Sequence, residues 1–401
     1  MMMEKENKYE WGDGVYTLLS WFKKDKVKNA KVLVAGAGAL GNEVVKNLAL
    51  FGVGTIFVVD FDRIEISNLT RSVLFREEDA YNHSYKAEII AKRAMEINPQ
   101  IKVIPIVGRL DSDVGFGIYC SVDVVIGCLD SRIARYQLNR MCMRAGKSWV
   151  DGGIENLTGS VKVFTPGLSC YECQLSREEF NRIMVRIGCA DVARIQNEAG
   201  RVATTPISAS IIGAMQVQEA LKIIHKDTDS VSQFKTLEGK MFHYEGLINS
   251  SNIFKIASWK TNCPSHDRWD PIIKCNDLSA QQTVGIVLKQ LKTILDVKNV
   301  EINMCNNKFV DKIISTNPEK EFEILKSESM LDNIMKSNPE IRKLSHFTTF
   351  HNIFYENIDN SFPYQNFTLQ QIGIPLFDVL QISTEKGVRF VELSGDASLF
   401  V

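Results

Sequence analysis

The sequence lacks an excess of charge of either sign. Its 47 lysines and arginines nearly balance its 48 aspartates and glutamates, which leaves a formal net charge of -1 at pH 7. A protein that binds nucleic acid or an anionic membrane through charge normally carries a positive surplus, because that surplus attracts the phosphates. Nucleic acid and membrane surfaces are therefore not expected partners.

Long apolar runs, repeats and low-complexity segments are also missing. No stretch approaches the roughly 20 residues that a transmembrane helix needs, and the amino-terminal MMMEKENKYEWGDG lacks the pattern of a signal peptide. The nine cysteines, an odd number, do not have the spacing of a secreted disulfide framework. We therefore expect a cytoplasmic protein with reduced thiols and, from its 401 residues, two or three domains.

Residues 31 to 71 carry the strongest functional signal. A strand-like apolar run, 31–35, leads into a G-x-G-x-x-G turn (Gly36, Gly38, Gly41), helical spacing follows over 42–51, and a second apolar run ends on Asp60. Glycines let the backbone approach a phosphate, and a helix amino terminus favours its negative charge. Asp60 lies at the sequence distance expected of a carboxylate that binds a ribose hydroxyl. The unit predicts nucleotide binding and leaves a dinucleotide and ATP open as ligands.

Polar residues next to the predicted strand ends favour ATP with Mg²⁺. They either follow a strand or begin the next helix: Asp62, Asn68, Arg71, Lys86 and Asp130. Ligands in such sheets bind beyond the carboxyl ends of the strands. Oxygen ligands suit Mg²⁺, and cationic groups bind phosphates. A plain dinucleotide fold would not explain this set, so the sequence predicts a site for a Mg-nucleotide.

Five segments together resemble the adenylating domain of ubiquitin-activating enzymes and of their bacterial relatives, the molybdopterin- and thiamine-pathway adenylyltransferases. They follow the family's order between residues 30 and 225: GAGALG, VVDFDRIEISNLTR, YKAEIIAKRAMEINP, CLDSRIARYQLN and TTPISASIIGAMQVQEALKII. The resemblance implies an α/β fold in which residues 30–269 form a Rossmann-like mixed sheet flanked by helices. Residues 1–29 are then an amino-terminal extension, and residues 270–401 a small α/β domain for which a ubiquitin-like shape is one interpretation.

The resemblance also implies roles for individual residues. Gly36, Gly38 and Gly41 line the nucleotide, and Asp60 binds the ribose. Asp62 supports the site, with a simple turn residue as the alternative. The remaining roles are phosphate contacts and magnesium binding: Asn68, Arg71 and Lys86 face the phosphates, Asp130 binds Mg²⁺, and Arg135 packs near the nucleotide or only makes a helix salt bridge.

One element of the family pattern is missing. Relatives often bring an arginine from an amino-terminal segment into the active site, frequently across a dimer. This chain has no arginine before Arg63. Lysines of the amino-terminal segment are candidate substitutes, although lysine lacks the planar fork of arginine: Lys23, Lys24, Lys26 and Lys28.

A cysteine pair and a cysteine–histidine pair form a candidate zinc site. Cys170 and Cys173 make a C-x-x-C pair after a predicted strand, 159–165, and Cys263 and His266 repeat that spacing. A Cys₃His set suits tetrahedral zinc, and four protein ligands leave no open position, which indicates a structural role. Relatives carry C-x-x-C at both places. Unrelated loop cysteines are the alternative.

Cys189 is the candidate nucleophile. It follows Gly188 in RIGCADVARIQNEAGRVATTPIS, within a predicted crossover loop of about 176–204. Nearby arginines would lower the pKa of this thiol and raise its thiolate fraction. Similar short activating enzymes place their catalytic cysteine in this loop. A small buried cysteine is the alternative.

The sequence therefore predicts an ATP-dependent activating enzyme for a ubiquitin-like protein. The modifier's carboxyl terminus is adenylated, forms a thioester with Cys189 and passes to a ubiquitin-conjugating-type carrier enzyme. The resemblance implies a homodimer, and antiviral defence in a bacterial operon is one setting. Three alternatives stay open: an adenylyltransferase for a sulfur-carrier protein without a catalytic thioester, an NAD-dependent oxidoreductase, and an inactive scaffold that only binds a modifier or a carrier.

Overall fold

The computed structural model describes residues 10–188, 203–226, 234–304, 307–345 and 347–400. The chain divides into two compact units, unit 1 (Met1–Leu110 with Tyr119–Arg268) and unit 2 (Asp111–Ile118 with Trp269–Val401). A short segment from the amino-terminal half of the sequence thus belongs to the second unit. Within the described ranges, no helix is both long and apolar enough to cross a membrane.

Strands and helices alternate along the first two thirds of the chain. In order they are α1 (Lys24–Asn29), β1 (Lys31–Ala35), α2 (Ala39–Phe51), β2 (Thr55–Val59), α3 (Glu77–Tyr81), α4 (Lys86–Ile97), β3 (Lys102–Ile106), α5 (Phe116–Ser121), β4 (Val124–Gly127), α6 (Arg132–Ala145), β5 (Trp149–Glu155), β6 (Thr158–Phe164), α7 (Tyr171–Gln174), α8 (Arg177–Gly188), α9 (Pro206–Ile224), β7 (Lys240–Glu245) and β8 (Ser250–Lys255). Short 3₁₀ turns occur at Tyr16–Leu18, Ile66–Asn68 and Pro264–His266.

Unit 1 contains one eight-stranded sheet in the order β3-β2-β1-β4-β5-β6-β7-β8. Strands β3, β2, β1, β4 and β5 are parallel, and β5 to β8 continue the sheet as antiparallel neighbours. Helices α2 and α9 share a core with the central strands, to which both contribute apolar residues such as Val44, Leu48, Ile212 and Val217. The predicted mixed α/β sheet flanked by helices is confirmed. Its strand order reverses between β1 and β4, the position at which such sheets bind ligands.

Local signals explain where the helices next to the site begin and end. Helix α2 starts directly after the glycine turn and ends at Gly52, whose φ of 77° is a left-handed C-terminal cap. Helix α9 starts at Pro206, and the Thr205 hydroxyl accepts a hydrogen bond from the Ser208 backbone N–H. The first half of the predicted crossover loop is helical, because Ser176 and Glu179 form a reciprocal capping box at the start of α8.

The amino-terminal segment packs at the amino ends of the parallel strands. The backbone N–H groups of Gly54 and Thr55 donate to the carbonyls of Val27 and Ala30. The predicted nucleotide residues follow the carboxyl ends of these five-residue strands. That edge, called the nucleotide edge below, lies about 16 Å away at 3.3 Å per residue. The lysines of this segment therefore cannot replace the family's arginine at the chain's own site: Lys23, Lys24, Lys26 and Lys28.

His225 holds this segment in place and should make stability depend on pH. Its Nδ1 donates to the Leu221 carbonyl at 2.7 Å, and its Nε2 accepts from the Lys23 N–H at 3.0 Å, so the bonded ring is neutral. Burial, with smaller effects of Lys26 and Lys23, lowers the pKa of His225 below its usual 6.5.

We expect acid to destabilise the protein through His225. The unfolded chain takes up a proton near pH 6.5, while the folded ring resists protonation until a lower pH. This contribution is therefore complete above the unfolded pKa and is lost as pH falls through that value toward the folded pKa. Melting temperatures measured from about pH 7 to about pH 5 should fall less steeply in His225→Gln than in wild type. His243→Gln on β7 is the matched control, and equal slopes in all three proteins would exclude this role.

Unit 2 has its own core and two sheets. Its remaining elements are β9 (Ile272–Cys275), α10 (Val284–Leu295), β10 (Val300–Asn303), β11 (Phe309–Thr316), β12 (Glu319–Ser327), α11 (Leu331–Ser337), α12 (Pro339–Leu344), β13 (Phe350–Tyr355), β14 (Asn357–Ile358), β15 (Val379–Thr384) and β16 (Gly387–Leu393), with 3₁₀ turns at Glu328–Met330 and Ser394–Leu399. The sheets have the orders β14-β10-β15-β16-β9 and β12-β11-β13. A hairpin turn at Glu385-Lys386-Gly387 joins β15 to β16. A ubiquitin-like shape stays a prediction.

Candidate functional site

The carboxyl ends of β2, β1 and β4 bring the predicted nucleotide residues to one edge of the sheet. Ala35 is paired with Val59 on one side and with Gly127 on the other. The glycine turn, Asp60 and the loop that leads to Asp130 therefore start at the same level. The strand order reverses at this edge, the position at which sheets of this kind bind ligands.

The three glycines of the turn occupy positions that require glycine for different reasons. Gly36 has a φ of 98°, and a Cβ there would lie 2.4 Å from the Cys128 carbonyl oxygen. A Cβ on Gly41 would lie 2.1 Å from the Gly36 carbonyl oxygen, whereas a Cβ on Gly38 would meet no atom of the described residues within 4 Å. The fold itself requires Gly36 and Gly41. Gly38 faces open space at the start of α2, where a phosphate could approach the backbone.

Asp60 is engaged by the backbone on both sides of the site. One carboxylate oxygen accepts from the Ala37 N–H at 2.7 Å, and the other accepts from the Asp62 N–H at 2.8 Å. Burial raises the pKa of Asp60, and Lys86 and the two backbone bonds oppose that shift. Each carboxylate oxygen can accept a second hydrogen bond, so Asp60 can hold the glycine turn and a ribose hydroxyl together.

Asp62 orients Lys86. The Lys86 ammonium lies 2.7 Å from the Asp62 carboxylate, and the Lys86 N–H donates to the Asp62 carbonyl at 3.0 Å. The Lys86 side chain is only 13% exposed, against 51% for Asp62. The pair places a partly desolvated cation at the start of α4.

Asn68 and Arg71 lie in the polar loop after β2. The Asn68 side-chain oxygen accepts from the Glu65 N–H at 3.0 Å and so caps a short 3₁₀ turn. Arg71 donates to the Ser67 carbonyl at 2.7 Å. Among the residues that the structure describes, Arg71 has no carboxylate partner. Its guanidinium charge is therefore available to an anionic ligand.

Asp130 and Arg135 have opposite environments. Asp130 is exposed, and within the described ranges it makes neither a hydrogen bond nor an ion pair. Arg135 is largely buried, pairs with Asp151 of β5 at 2.8 Å, and donates to the carbonyls of Leu129 and Gly152. The guanidinium of Arg135 is thus committed to joining the loop after β4 to β5, whereas the Asp130 carboxylate is free to bind a cation.

The sequence did not point to two buried amides that support this edge. Asn42 donates to the carbonyls of Ala37 and Gly38 at 3.1 and 2.9 Å and accepts from the Leu74 N–H at 2.9 Å. It therefore joins the glycine turn to the loop that carries Arg71. Gln216 of α9 donates to the Gly127 carbonyl at 2.8 Å. The sequence feature that could have indicated these residues is a polar amide on the otherwise apolar face of each helix.

Cys170, Cys173, Cys263 and His266 lie together in unit 1, with all ligand atoms within 4.8 Å of one another. The Cys170 sulfur lies 3.7 Å from those of Cys173 and Cys263, and the Cys173 sulfur lies 3.5 Å from His266 Nε2. Tetrahedral zinc with bonds of about 2.3 Å places its sulfur ligands about 3.8 Å apart. A hydrogen bond with Cys263 lowers the pKa of the Cys170 thiol below its usual range, toward the thiolate that binds zinc. The donor set fits the metal.

Cys189 lies outside the described residues. The described part of the chain ends one residue earlier, at Gly188, the last residue of α8. An ion pair between Arg132 and Glu179 and an edge-on contact between Tyr136 and Phe180, with ring centroids 6.1 Å apart, hold α8 against α6. Two other cysteines, Cys128 and Cys142, are buried, and burial raises the pKa of both thiols. Buried thiols of this kind are poor nucleophiles at neutral pH.

Comparison with known proteins gives a family match over residues 17–265 to the ThiF family. A sulfur carrier protein adenylyltransferase of Thermus thermophilus is 32% identical over 230 residues, 56% of this chain and 78% of the relative. The SAMP-activating enzyme E1 of Haloferax volcanii is 28% identical over 247 residues, 60% of this chain and 81% of the relative.

SUMO-activating enzyme subunits match a shorter part of the chain. The subunit uba-2 of Caenorhabditis elegans is 38% identical over 162 residues, 38% of this chain. The match spans only 27% of that subunit and 23% of the Dictyostelium discoideum subunit 2. The family match nevertheless covers more than half of this chain, which therefore belongs to the ThiF family, in the superfamily of adenylyltransferases related to ubiquitin-activating enzymes.

Proposed function

We propose that the protein is an adenylyltransferase that activates the carboxyl terminus of another protein with MgATP. The observation that carries the proposal is the combination, at one sheet edge, of an open glycine turn, a half-buried ribose-type carboxylate, two cations and an exposed carboxylate: Gly38, Asp60, Arg71, Lys86 and Asp130. A hydride-transfer enzyme would use the glycines and Asp60 but has no need for the other three. Full retention of the set also argues against an inactive scaffold.

Each residue has a task in this reaction. The turn at Gly38 and the start of α2 accept the phosphates, and Asp60 accepts a ribose hydroxyl. A carboxylate oxygen of the partner protein forms a bond to the α-phosphorus, the bond to the bridging oxygen breaks, and pyrophosphate leaves. Arg71 and Lys86 stabilise the charge that builds on the phosphate oxygens. Asp130 would hold Mg²⁺, which supplies further positive charge to the phosphates.

The partner we propose is a ubiquitin-like protein. After adenylation, Cys189 accepts the acyl group of this protein from AMP. The Cys189 thiolate attacks the acyl carbon of the adenylate, the carbon–sulfur bond forms, and AMP leaves with the phosphate oxygen. A ubiquitin-conjugating-type carrier enzyme then receives the acyl group on its own cysteine. We also propose that the activating protein acts as a homodimer. The names of the Haloferax and Caenorhabditis relatives support a modifier of this class.

A sulfur-carrier protein is the second candidate substrate. The Thermus relative, of which this chain covers 78%, carries that substrate in its name. Adenylation would use the same residues, and Cys189 would then form no thioester. ATP–pyrophosphate exchange tests the step that both candidates share. We expect exchange only when a cognate protein is added, and none when its carboxyl-terminal residue is removed or when NAD replaces ATP. Failure with every modifier and sulfur carrier would exclude adenylation.

We propose that Cys170, Cys173, Cys263 and His266 bind one structural zinc ion. Structural zinc contributes on the order of 10 kcal/mol to local folding, so Cys173→Ser should lose zinc and melt at a much lower temperature. Metal analysis and calorimetry measure both effects. Cys142→Ser is the matched control, because Cys142 is equally buried but lies outside the cluster. Stable wild-type protein without zinc would refute the site.

A further inference from the structure

Asn139 of α6 is a fully buried amide next to the Cys₃His cluster. Its side-chain oxygen accepts from the Tyr171 N–H at 3.0 Å and from the Trp149 indole N–H at 3.3 Å. Both partners are donors, so the oxygen and nitrogen of this amide cannot be exchanged. The orientation of the side chain is therefore fixed, and Tyr171 stands between the ligands Cys170 and Cys173.

The Asn139 nitrogen is left without an oxygen acceptor. It is buried and, among the described residues, has no hydrogen-bond partner at ordinary geometry. Buried amide nitrogens are normally paired. The Asn139 oxygen is bonded to the N–H of Tyr171, the residue directly after the ligand Cys170, so the Cys170 sulfur is the candidate acceptor on this side of the cluster. A thiolate bound to a metal accepts such a bond better than a neutral thiol, because it keeps negative charge on sulfur.

We propose that Asn139 is a positioning residue of the zinc site, whose side-chain N–H donates to the Cys170 thiolate while its oxygen holds the backbone at Tyr171. The inference rests on the zinc site proposed above and adds a partner that is not a ligand. Such partners orient the ligands and tune the metal, and their loss typically weakens metal binding by about 10- to 100-fold. Helix α6 begins next to Asp130, so Asn139 also joins the zinc site to the helix that follows the nucleotide edge.

The variant Asn139→Asp tests this role. It keeps the size of the side chain and an oxygen for Tyr171 and Trp149, but it replaces the N–H donor by an anion facing the thiolate. Chelator competition on the full chain should show zinc binding weakened by about 10- to 100-fold. In the cobalt-substituted protein, the sulfur-to-metal charge-transfer band should shift, which a general loss of packing would not cause.

Asn98→Asp is the matched control. Asn98 is also fully buried, donates to the Ala49 carbonyl at 2.9 Å and accepts from the Gln100 N–H at 3.0 Å. We expect it to lower thermal stability without changing zinc affinity or the cobalt spectrum. Wild-type affinity and spectrum in Asn139→Asp would overturn the role of Asn139 while leaving the zinc site intact. A wild-type chain that binds no zinc would overturn both.

A second measurement needs no variant and covers the case in which Asn139→Asp does not fold. Wild-type protein is loaded with a magnetically active cadmium isotope and labelled with nitrogen-15 at asparagine side chains. A hydrogen bond from the amide to a metal-bound sulfur transmits a scalar coupling between the amide proton and the metal. We expect one asparagine side chain to show this coupling. Its absence in cadmium-loaded protein would overturn the inference.

Discussion

Replacing Cys189 by alanine should leave modifier-dependent ATP–pyrophosphate exchange intact and abolish the reductant-sensitive adduct with the modifier. Adenylation uses the residues at the carboxyl edge of the sheet, whereas the thioester needs a thiol that can reach the acyl carbon. Cys189 directly follows α8, which an ion pair to Arg132 holds against the helix that starts beside Asp130. Non-reducing gels and the exchange assay, run on the same preparation, measure the two steps separately. Transfer to a carrier enzyme should vanish with the adduct.

Cys142→Ala is the matched control for this experiment. Burial raises the pKa of Cys142 well above its ordinary value, so it should not act as a nucleophile, and the variant should keep the adduct. If the adduct persists in Cys189→Ala, the nucleophile is another residue. If wild type makes adenylate but no adduct with any cognate modifier, the protein activates a sulfur carrier instead.

Replacing Asp130 by alanine should reduce exchange by a factor on the order of 10²–10³, the usual effect of removing one group that stabilises developing charge. Asp130 is exposed and has no hydrogen-bond or ion-pair partner among the described residues, so the variant should melt at the wild-type temperature. Exchange rates at several magnesium concentrations measure the effect. The loss should be largest when magnesium is scarce.

Asp123→Ala is the control for Asp130. Asp123 directly precedes β4, at the end of that strand opposite to Asp130. Its carboxylate accepts a hydrogen bond from the Lys31 N–H at 2.8 Å. Its removal should affect stability at most and leave exchange unchanged. Undiminished exchange in Asp130→Ala would show that another group binds the magnesium.

The sequence predicted those elements whose signals are local. The bounds of β1 match the predicted run 31–35, α2 contains the predicted helical run 42–51, and β2 ends directly before Asp60 as predicted. In each case the apolar spacing and a neighbouring glycine lie within a few positions of the element, so both signals are visible in the local sequence. The four residues of the metal cluster were predicted for the same reason, because a repeated spacing is visible without the fold.

Features that depend on distant partners were not predictable. Helix α10 begins only at Val284, because Ser279 and the Ala280 N–H bind the carboxylate of Asp396, more than 100 residues away. The contact between Lys23 and His225 spans 202 residues. The roles of Asn42 and Gln216 likewise depend on backbone groups of other elements. A single sequence contains the amide but not the carbonyl that it will meet.

The most direct test of adenylation is mass spectrometry of an acid-quenched mixture of the protein, MgATP and a cognate ubiquitin-like or sulfur-carrier protein. The proposed reaction predicts a product in which the partner's carboxyl terminus carries AMP. This product should be absent when ATP is omitted, and it should form on the order of 10²–10³ times more slowly when Asp130 is replaced by alanine. If the partner is recovered unmodified while ATP is consumed, or if AMP is attached elsewhere than the carboxyl terminus, the protein does not catalyse the proposed reaction.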